Sequence, residues 1–230
     1  MNWKIKFGNF LFKYRSFTPI PLIVFVFLLF SPVNYGHINL YIDLGGISLL
    51  IFGELIRILS VGFSFTGTSG RENYLRADKL NTSGIYSVVR NPLYIGNIFI
   101  YSGLLIVFSN IYALLFFVIL LIVQYYFIIL SEQEYLKVKY GESYKKYCSE
   151  VRSIIPGFRN RRRAENKFNL KKVLFKENDS VFNSLFLLGL VLIFKYKIFY
   201  SVVKNTKLWI LYFSILIMLY ILIKIIKRRK

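Results

Sequence analysis

The sequence predicts an all-α fold, a polytopic membrane bundle of about six transmembrane helices joined by cytoplasmic segments that lie at the interface. Apolar residues make up 56% of the 230 residues and aromatic residues 19%, and the mean hydropathy is +0.51. Several apolar runs approach the ~20 residues that a helix needs to cross a hydrocarbon layer of about 30 Å. This composition excludes an ordinary water-soluble domain and a disordered tail.

The apolar runs give the order of the predicted spans. A basic leading segment comes first, and the apolar run that follows it has no small-residue cleavage site and leads directly into a second run. We therefore interpret the first span as a retained anchor and not as a removed signal peptide. The predicted spans cover residues 17–33, 38–59, 93–109, 111–130, 181–200 and 208–226.

The distribution of basic residues predicts the topology. With the N-terminus inside, 27 of the 31 Lys and Arg residues fall on the cytoplasmic side, and the other side holds only Lys195, Lys197, Lys204 and Lys207. Because basic residues in short loops resist translocation, both termini are expected in the cytoplasm. We expect the four outer lysines to extend from span ends towards water, and a re-entrant hairpin over 181–226 is the alternative.

The net charge of +20 has the same explanation. The basic runs at 159–163 and at the C-terminus favour topology and contact with anionic lipid headgroups over binding of nucleic acid. The single cysteine, Cys148, and the single histidine, His37, exclude a disulfide framework and a Cys-rich or His-based metal site.

Polar residues and glycines inside the second span have simple structural explanations. Glu54 and Arg57 are three residues apart on one helix face, so they are expected to pair, or alternatively to line a pocket. Asp43 and His37 are expected near the outer surface, in contact with water. The glycines at 45, 46 and 53 are expected to permit close helix packing.

The third and fourth spans are separated only by Ser109 and Asn110, which predicts a tight antiparallel helical hairpin. The start of the third span and the end of the fourth should therefore lie side by side at the cytoplasmic boundary. The segments attached to these ends, 60–92 and 131–158, are then neighbours in space. Their polar groups are expected to converge on one pocket.

The first of these segments ends in the run LNTSGIYSVVRNPLYIG, from Leu80 to Gly96. Pro92 suits the first turn of a helix, where its missing N–H costs little. Arg90 and Asn91 then precede a helix N-terminus, whose free N–H groups favour a carboxylate or a phosphate. The simpler alternative is that Arg90 is an interfacial anchor and Asn91 an N-cap.

The second segment begins where an apolar run of twenty residues ends. Glu132 lies within a residue or two of that end, where a carboxylate is costly unless it is paired or liganded. Its alternative is a salt bridge to a nearby lysine or to Arg90, and Glu134 is expected to face solvent. Helical spacing predicts an aromatic stripe on the membrane interface, formed by Leu136, Tyr140, Tyr144 and Tyr147.

Together, the runs GIYSVVRNPLYIG and EQEYLKVKYGESYKKYCSEVRSIIP resemble the isoprenylcysteine carboxyl methyltransferase family and its phospholipid methyltransferase relatives, from about Leu55 to Pro156. The resemblance implies an integral membrane enzyme that uses S-adenosylmethionine without a Rossmann domain. Accordingly, the sequence contains no GxGxxG after a predicted strand and no P-loop. It also implies a cytoplasm-facing donor pocket and a lipophilic acceptor that enters from the bilayer.

The family's donor contacts are carried over onto this sequence residue by residue. The implied donor contacts are Asp78, Lys79, Leu80, Asn81, Tyr86, Asn91, Pro92, Leu93, Tyr94 and Glu132. Arg90 is the predicted catalytic residue, which would orient an acidic acceptor.

The chain is expected to divide into three parts. These are the N-terminal membrane helices (1–60), a methyltransferase-like core (61–158) and a basic linker with a C-terminal membrane hairpin (159–230).

Three positions depart from the family pattern. Asn91 stands where the family has histidine, and an amide cannot carry a proton in catalysis. Gln133 replaces the second glutamate of a pair, and Ile128 replaces an arginine that is associated with acceptor binding. Because some bacterial relatives resemble the asparagine form, we expect a protein of a bacterial cytoplasmic membrane with an acceptor other than a prenylcysteine protein, either a lipophilic carboxylate or an amine.

Two other functions fit the same sequence. One is an NADPH-dependent reductase of a sterol or polyprenyl compound, and the other is a non-catalytic lipid-binding membrane protein. Binding of S-adenosylmethionine and of NADPH distinguishes the three.

Overall fold

The computed structural model describes residues 2–68, 74–201 and 206–228, and its regular structure over these ranges is helical, which confirms the predicted fold class. Short 3₁₀ turns precede two of the helices, at Gly36–Ile38 and Gly84–Ser87, and a π-helical turn at Ile193–Phe199 continues the seventh. The helices are α1 (Trp3–Tyr14), α2 (Pro19–Leu29), α3 (Asn39–Phe63), α4 (Pro92–Phe108), α5 (Ile111–Glu150), α6 (Leu170–Lys176), α7 (Asn178–Leu192) and α8 (Thr206–Arg228).

Within the described residues, four helical segments are long and apolar enough to cross a membrane: Gly36–Phe63, Ile111–Tyr140, Asn178–Phe199 and Thr206–Arg228. The first predicted span, 17–33, contains only the 11-residue helix α2, which passes the test for a membrane span only together with α1, at an angle of 81°. Pro19 begins α2 and cannot donate a backbone hydrogen bond to a continuous helix. α4 is apolar but has only 17 residues. The count is thus four spans, or five with the bent pair, where the sequence predicts about six.

Glycines bring α3 and α4 into close contact. A Cβ atom added at Gly46 would lie 2.6 Å from the carbonyl oxygen of Gly103, and one at Gly53 would lie 2.6 Å from that of Gly96. No side chain fits in either place, so the two backbones touch. The predicted packing role is confirmed for Gly46 and Gly53, whereas a Cβ at Gly45 meets nothing within 4 Å.

The predicted hairpin between α4 and α5 is present. Ser109 turns the chain with a left-handed backbone (φ 61°), and the Asn110 side chain caps α5 by accepting a hydrogen bond from the Ala113 amide at 3.0 Å. α5 then runs for 40 residues with a break in helical geometry at Gly141, so its second half extends beyond the span that ends at Tyr140. This extension carries the second motif segment to the start of α4.

A buried ion pair replaces the expected solvated residues at the opposite end of the bundle. The Lys195 Nζ lies 2.6 Å from Asp43 Oδ1 and 2.7 Å from the Ser109 hydroxyl, and Tyr196 donates to the same carboxylate. Lys195 is 0% exposed and Asp43 6%. The predictions that Asp43 contacts water and that Lys195 extends from a span end are therefore wrong, because the two charges neutralise each other inside the bundle. Lys204, Arg229 and Lys230 of the predicted topology lie outside the described residues.

Candidate active site

A cavity of about 340 Å³ lies where α4 begins and α5 leaves the apolar part of the bundle. This volume lies in the range of about 300–1,000 Å³ that is typical of small-molecule sites. Pro92 and Tyr94 line it from the start of α4, and Glu132 lines it from α5. The prediction that the two motif segments converge on one pocket is therefore confirmed.

The structure places the predicted site residues in two groups. Asp78 lies outside the cavity lining, because its exposed carboxylate accepts hydrogen bonds from the Arg76 guanidinium at 2.8 and 3.0 Å, which lower its pKa. Its position supports a role in the loop and not a contact inside the cavity. The predicted residues that line the cavity are Lys79, Leu80, Asn81, Tyr86, Arg90, Asn91, Pro92, Leu93, Tyr94 and Glu132.

Hydrogen bonds join the two motif segments directly. The backbone amides of Arg90 and Asn91 donate to the carbonyls of Arg152 and Ser153 at 3.0 and 3.2 Å. The Asn91 side chain also donates to the Ser153 hydroxyl at 2.9 Å. Asn91 occupies the N-cap position of α4, but its side chain makes no capping bond. The N-cap alternative is therefore wrong for the side chain, which holds the second segment instead.

Arg90 lines the cavity and is not a free interfacial anchor. Its Nε is buried and has no hydrogen-bond partner among the residues that the structure describes. Buried donors in proteins are nearly always paired, so this nitrogen indicates a place for an acceptor group inside the cavity. An anionic group would satisfy both the free N–H and the charge.

Tyr144 and Tyr147 of the predicted aromatic stripe are buried inside the protein and do not lie on the membrane interface. Tyr144 and Tyr147 pack with Val151 against Leu80, and both tyrosines also line the cavity. The Tyr147 hydroxyl donates to the Tyr86 carbonyl at 2.6 Å, which fixes the Gly84–Ser87 turn to α5. Burial raises the pKa of both phenols above the ordinary range, so both remain neutral.

Glu132 lies beside a hydroxyl group and a cation. Tyr94 of α4 and Arg15, just after α1, are the groups that act on its carboxylate, and both line the same cavity. Over the described ranges, no salt bridge joins Glu132 to a lysine or to Arg90, so that alternative is not supported. Glu134 is exposed, as predicted.

Sequence reasoning misplaced the partner of Arg57. Its guanidinium donates to Glu177 at 2.9 Å and to the Asn97 side chain at 2.6 Å, while Glu54 accepts from the Ser180 hydroxyl at 3.1 Å. The expected Glu54–Arg57 pair is therefore replaced by contacts to other elements. The alternative, that both residues line the pocket, holds for Arg57 and not for Glu54.

The cavity wall that α7 supplies was missed by sequence reasoning. The available signal was a set of polar residues at helical spacing inside an apolar run, which marks an intramembrane site. The lining residues are Glu177, which directly precedes α7, and Asp179, Ser180, Asn183, Ser184 and Leu187 of the helix itself.

Known proteins are similar to the part of the chain that carries the two motif segments. Residues 42–143 match the phospholipid methyltransferase family model. Over 116 residues, 48% of the chain, the sequence is 30% identical to Protein-S-isoprenylcysteine O-methyltransferase B of Arabidopsis thaliana, of which the chain spans 57%. No solved structure matches the chain. Residues 42–143, which run from α3 into the second half of α5, are thus similar to the phospholipid methyltransferases, as the motifs predict.

Proposed function

We propose that the protein is an integral membrane methyltransferase that transfers a methyl group from S-adenosylmethionine to a lipophilic carboxylate or amine acceptor. The observation that carries the proposal is the cavity itself, whose walls are the two segments that resemble the family. Family relationship and geometry thus point to the same residues. The rival reductase and the non-catalytic lipid-binding protein have no comparable support.

The residues of the cavity suit the methyl donor chemically. A nucleoside with an amino acid tail needs hydrogen-bond acceptors, aromatic surface and a place for a carboxylate. Glu132 would accept hydrogen bonds from the donor, and Tyr86 and Tyr94 would line it. The start of α4 at Pro92 presents free N–H groups that would hold the carboxylate. Lys79 and Asn81 lie on the same wall.

When bound, S-adenosylmethionine supplies an electrophilic methyl group: a lone pair of the acceptor forms the new bond to carbon, and the electrons of the broken carbon–sulfur bond stay on sulfur. The protein then mainly has to align the reactants and exclude water. Arg90 would orient an acidic acceptor through its unpaired Nε. A carboxylate acceptor would have no proton to lose, so Asn91, which hydrogen-bonds Ser153, would not have to carry one. An amine acceptor would have to give its proton to a general base at another position.

We further propose that both termini lie in the cytoplasm of a bacterial cell and that the cavity opens on that side. The bias of basic residues supports this orientation, as does the accumulation of Arg15, Arg76, Lys79 and Arg90 around the cavity. A donor made in the cytosol would then reach the site directly.

A labelling experiment tests the function. Purified protein in nanodiscs would receive S-adenosylmethionine with a labelled methyl group and a bacterial lipid extract, and the lipids would be analysed by mass spectrometry for the mass of one added methylene. We expect label in one lipid class with wild type and with Glu134→Gln. Binding of NADPH without S-adenosylmethionine would indicate the reductase, and binding of neither would indicate a non-catalytic lipid-binding protein.

A further inference from the structure

Helix α7 lies outside the segment that matches the family, yet it forms one wall of the cavity. Ser180, Asn183, Ser184 and Leu187 follow each other at intervals of three, one and three residues, which places them on one face. The span that contains them, Asn178–Phe199, is apolar enough to cross a membrane. Polar side chains on such a helix are costly unless they serve a partner or a ligand.

Most polar groups on this face already have partners inside the protein. Glu177 pairs with Arg57 at 2.7 Å, and Asp179 pairs with Lys224 at 2.7 Å. The Ser180 hydroxyl donates to Glu54, and the Ser184 hydroxyl donates to the carbonyl one turn before it. These bonds fix α7 to α3 and α8.

Asn183 differs from its neighbours. Its side chain lines the cavity and is exposed, and no hydrogen bond satisfies its amide within the described ranges 2–68, 74–201 and 206–228. An exposed amide on a cavity wall is available to a polar group that enters the cavity. A polar headgroup in the cavity would supply the missing donor or acceptor.

The cavity wall beyond Asn183 is apolar, and a hydrocarbon chain would contact it there. Leu187, one turn further along α7, and Tyr101 line both the main cavity and a small apolar cavity of about 20 Å³ deeper in the bundle. The walls of the small cavity include Val26, Phe108, Phe117 and Val191. The polar cavity and the small apolar one therefore share Leu187 and Tyr101 in their walls.

We propose that α7 selects the methyl acceptor, with Asn183 hydrogen-bonding the polar headgroup of a membrane amphiphile and Leu187 and Tyr101 contacting its apolar chain. The inference rests on the proposed function for the statement that this amphiphile is the acceptor. The proposed donor contacts lie on other walls, at the start of α4 and on α5. A substitution on this face of α7 should therefore lower the affinity for the acceptor and leave the affinity for the donor unchanged.

Photolabelling tests the binding site without requiring activity. The probes are a phosphatidylethanolamine and an N-acetyl-S-farnesylcysteine, each with a diazirine near its headgroup, in detergent micelles that contain the full-length protein. We expect at least one probe to label residues 180–187 in a saturable way, with an affinity that Asn183→Leu lowers about tenfold, the usual size for loss of one or two hydrogen bonds. The matched control is Leu190→Ala, two turns along the same helix and outside the cavity lining, which should change nothing.

Donor affinity, measured by calorimetry with S-adenosylmethionine, separates selection of the acceptor from a structural effect. We expect Asn183→Leu to bind the donor as wild type does. Absence of saturable labelling on α7 by either probe, equal labelling of wild type and Asn183→Leu, or a parallel loss of donor affinity would each overturn the proposal. Saturable labelling without donor binding by wild type would support the amphiphile site and refute the methyltransferase function.

Discussion

Asn91 and Ser153 lie 62 residues apart in the chain and are joined side chain to side chain, with Asn91 Nδ2 at 2.9 Å from Ser153 Oγ and at 3.1 Å from the Ser153 carbonyl. The Asn91 backbone amide donates to the same carbonyl at 3.2 Å. These bonds hold the start of α4 against the chain that leaves α5. The residue that departs from the family's histidine thus positions two walls of the cavity relative to each other.

Asn91→Ala should weaken donor binding because it removes both side-chain hydrogen bonds to Ser153 and leaves only the backbone bond between the two residues. Loss of such a partner costs about 1–3 kcal/mol, so we expect the dissociation constant of S-adenosylmethionine to rise roughly tenfold, as measured by calorimetry. Ser153→Ala is the matched change on the other side. If the pair acts as one unit, the double variant should be little worse than Asn91→Ala, whereas additive effects would show that the two residues act independently.

The sequence predicted the parts of this arrangement that depend on local geometry. A two-residue connection requires a hairpin, and the hairpin brings Pro92 and Glu132 to one cavity. The sequence did not predict the contacts that residues outside this hairpin and its two attached segments make. Hydropathy assigns Lys195 to a span end, and only the folded chain shows that it meets Asp43 inside the bundle. The α7 wall was missed for the same reason, because its lining role depends on how a helix outside the motifs packs.

Gly53→Ala should destabilise the protein, since the new methyl group would lie 2.6 Å from the Gly96 carbonyl oxygen and 2.8 Å from the Ile100 amide. Overpacking of this kind typically costs about 1–3 kcal/mol. Thermal unfolding in detergent should therefore show a lower transition temperature for Gly53→Ala. Gly45→Ala is the matched control, because its Cβ would enter open space, and equal losses in the two variants would refute the close packing of α3 and α4.

Lys195→Met should be among the most destabilising single changes, because it leaves the buried Asp43 carboxylate without its cation. Removal of one partner of a buried ion pair typically costs about 3–5 kcal/mol. The double variant with Asp43→Asn should recover much of the lost stability in the same unfolding assay. If the double variant is as unstable as the sum of the two single variants, the pair is not the neutralising contact described here.

Tyr147→Phe should loosen the Gly84–Ser87 turn by removing the bond to the Tyr86 carbonyl, at a cost of about 1 kcal/mol. Since burial raises the pKa of Tyr147, the folded protein keeps its phenol proton when the unfolded chain begins to lose it, near pH 10 by the ordinary value. The stabilisation by the phenol is then complete below about pH 10 and falls as the pH rises further. The free energy of unfolding of wild type and of Tyr147→Phe should be measured at several pH values. We expect the difference between the two to be constant from about pH 7 to 9 and to become smaller above about pH 10. A difference that becomes smaller already at neutral pH would contradict this.

The most direct measurement is the affinity of Glu132→Gln for S-adenosylmethionine, set beside Glu134→Gln and wild type. Glu132 lines the cavity beside Tyr94, whereas Glu134, two residues later on α5, is exposed and outside the lining. Hydrogen bonds to a charged group contribute about 1.5–3 kcal/mol, so we expect Glu132→Gln to bind the donor at least ~10-fold more weakly and Glu134→Gln to match wild type. Equal affinities in all three proteins would show that the donor does not bind between the start of α4 and Glu132.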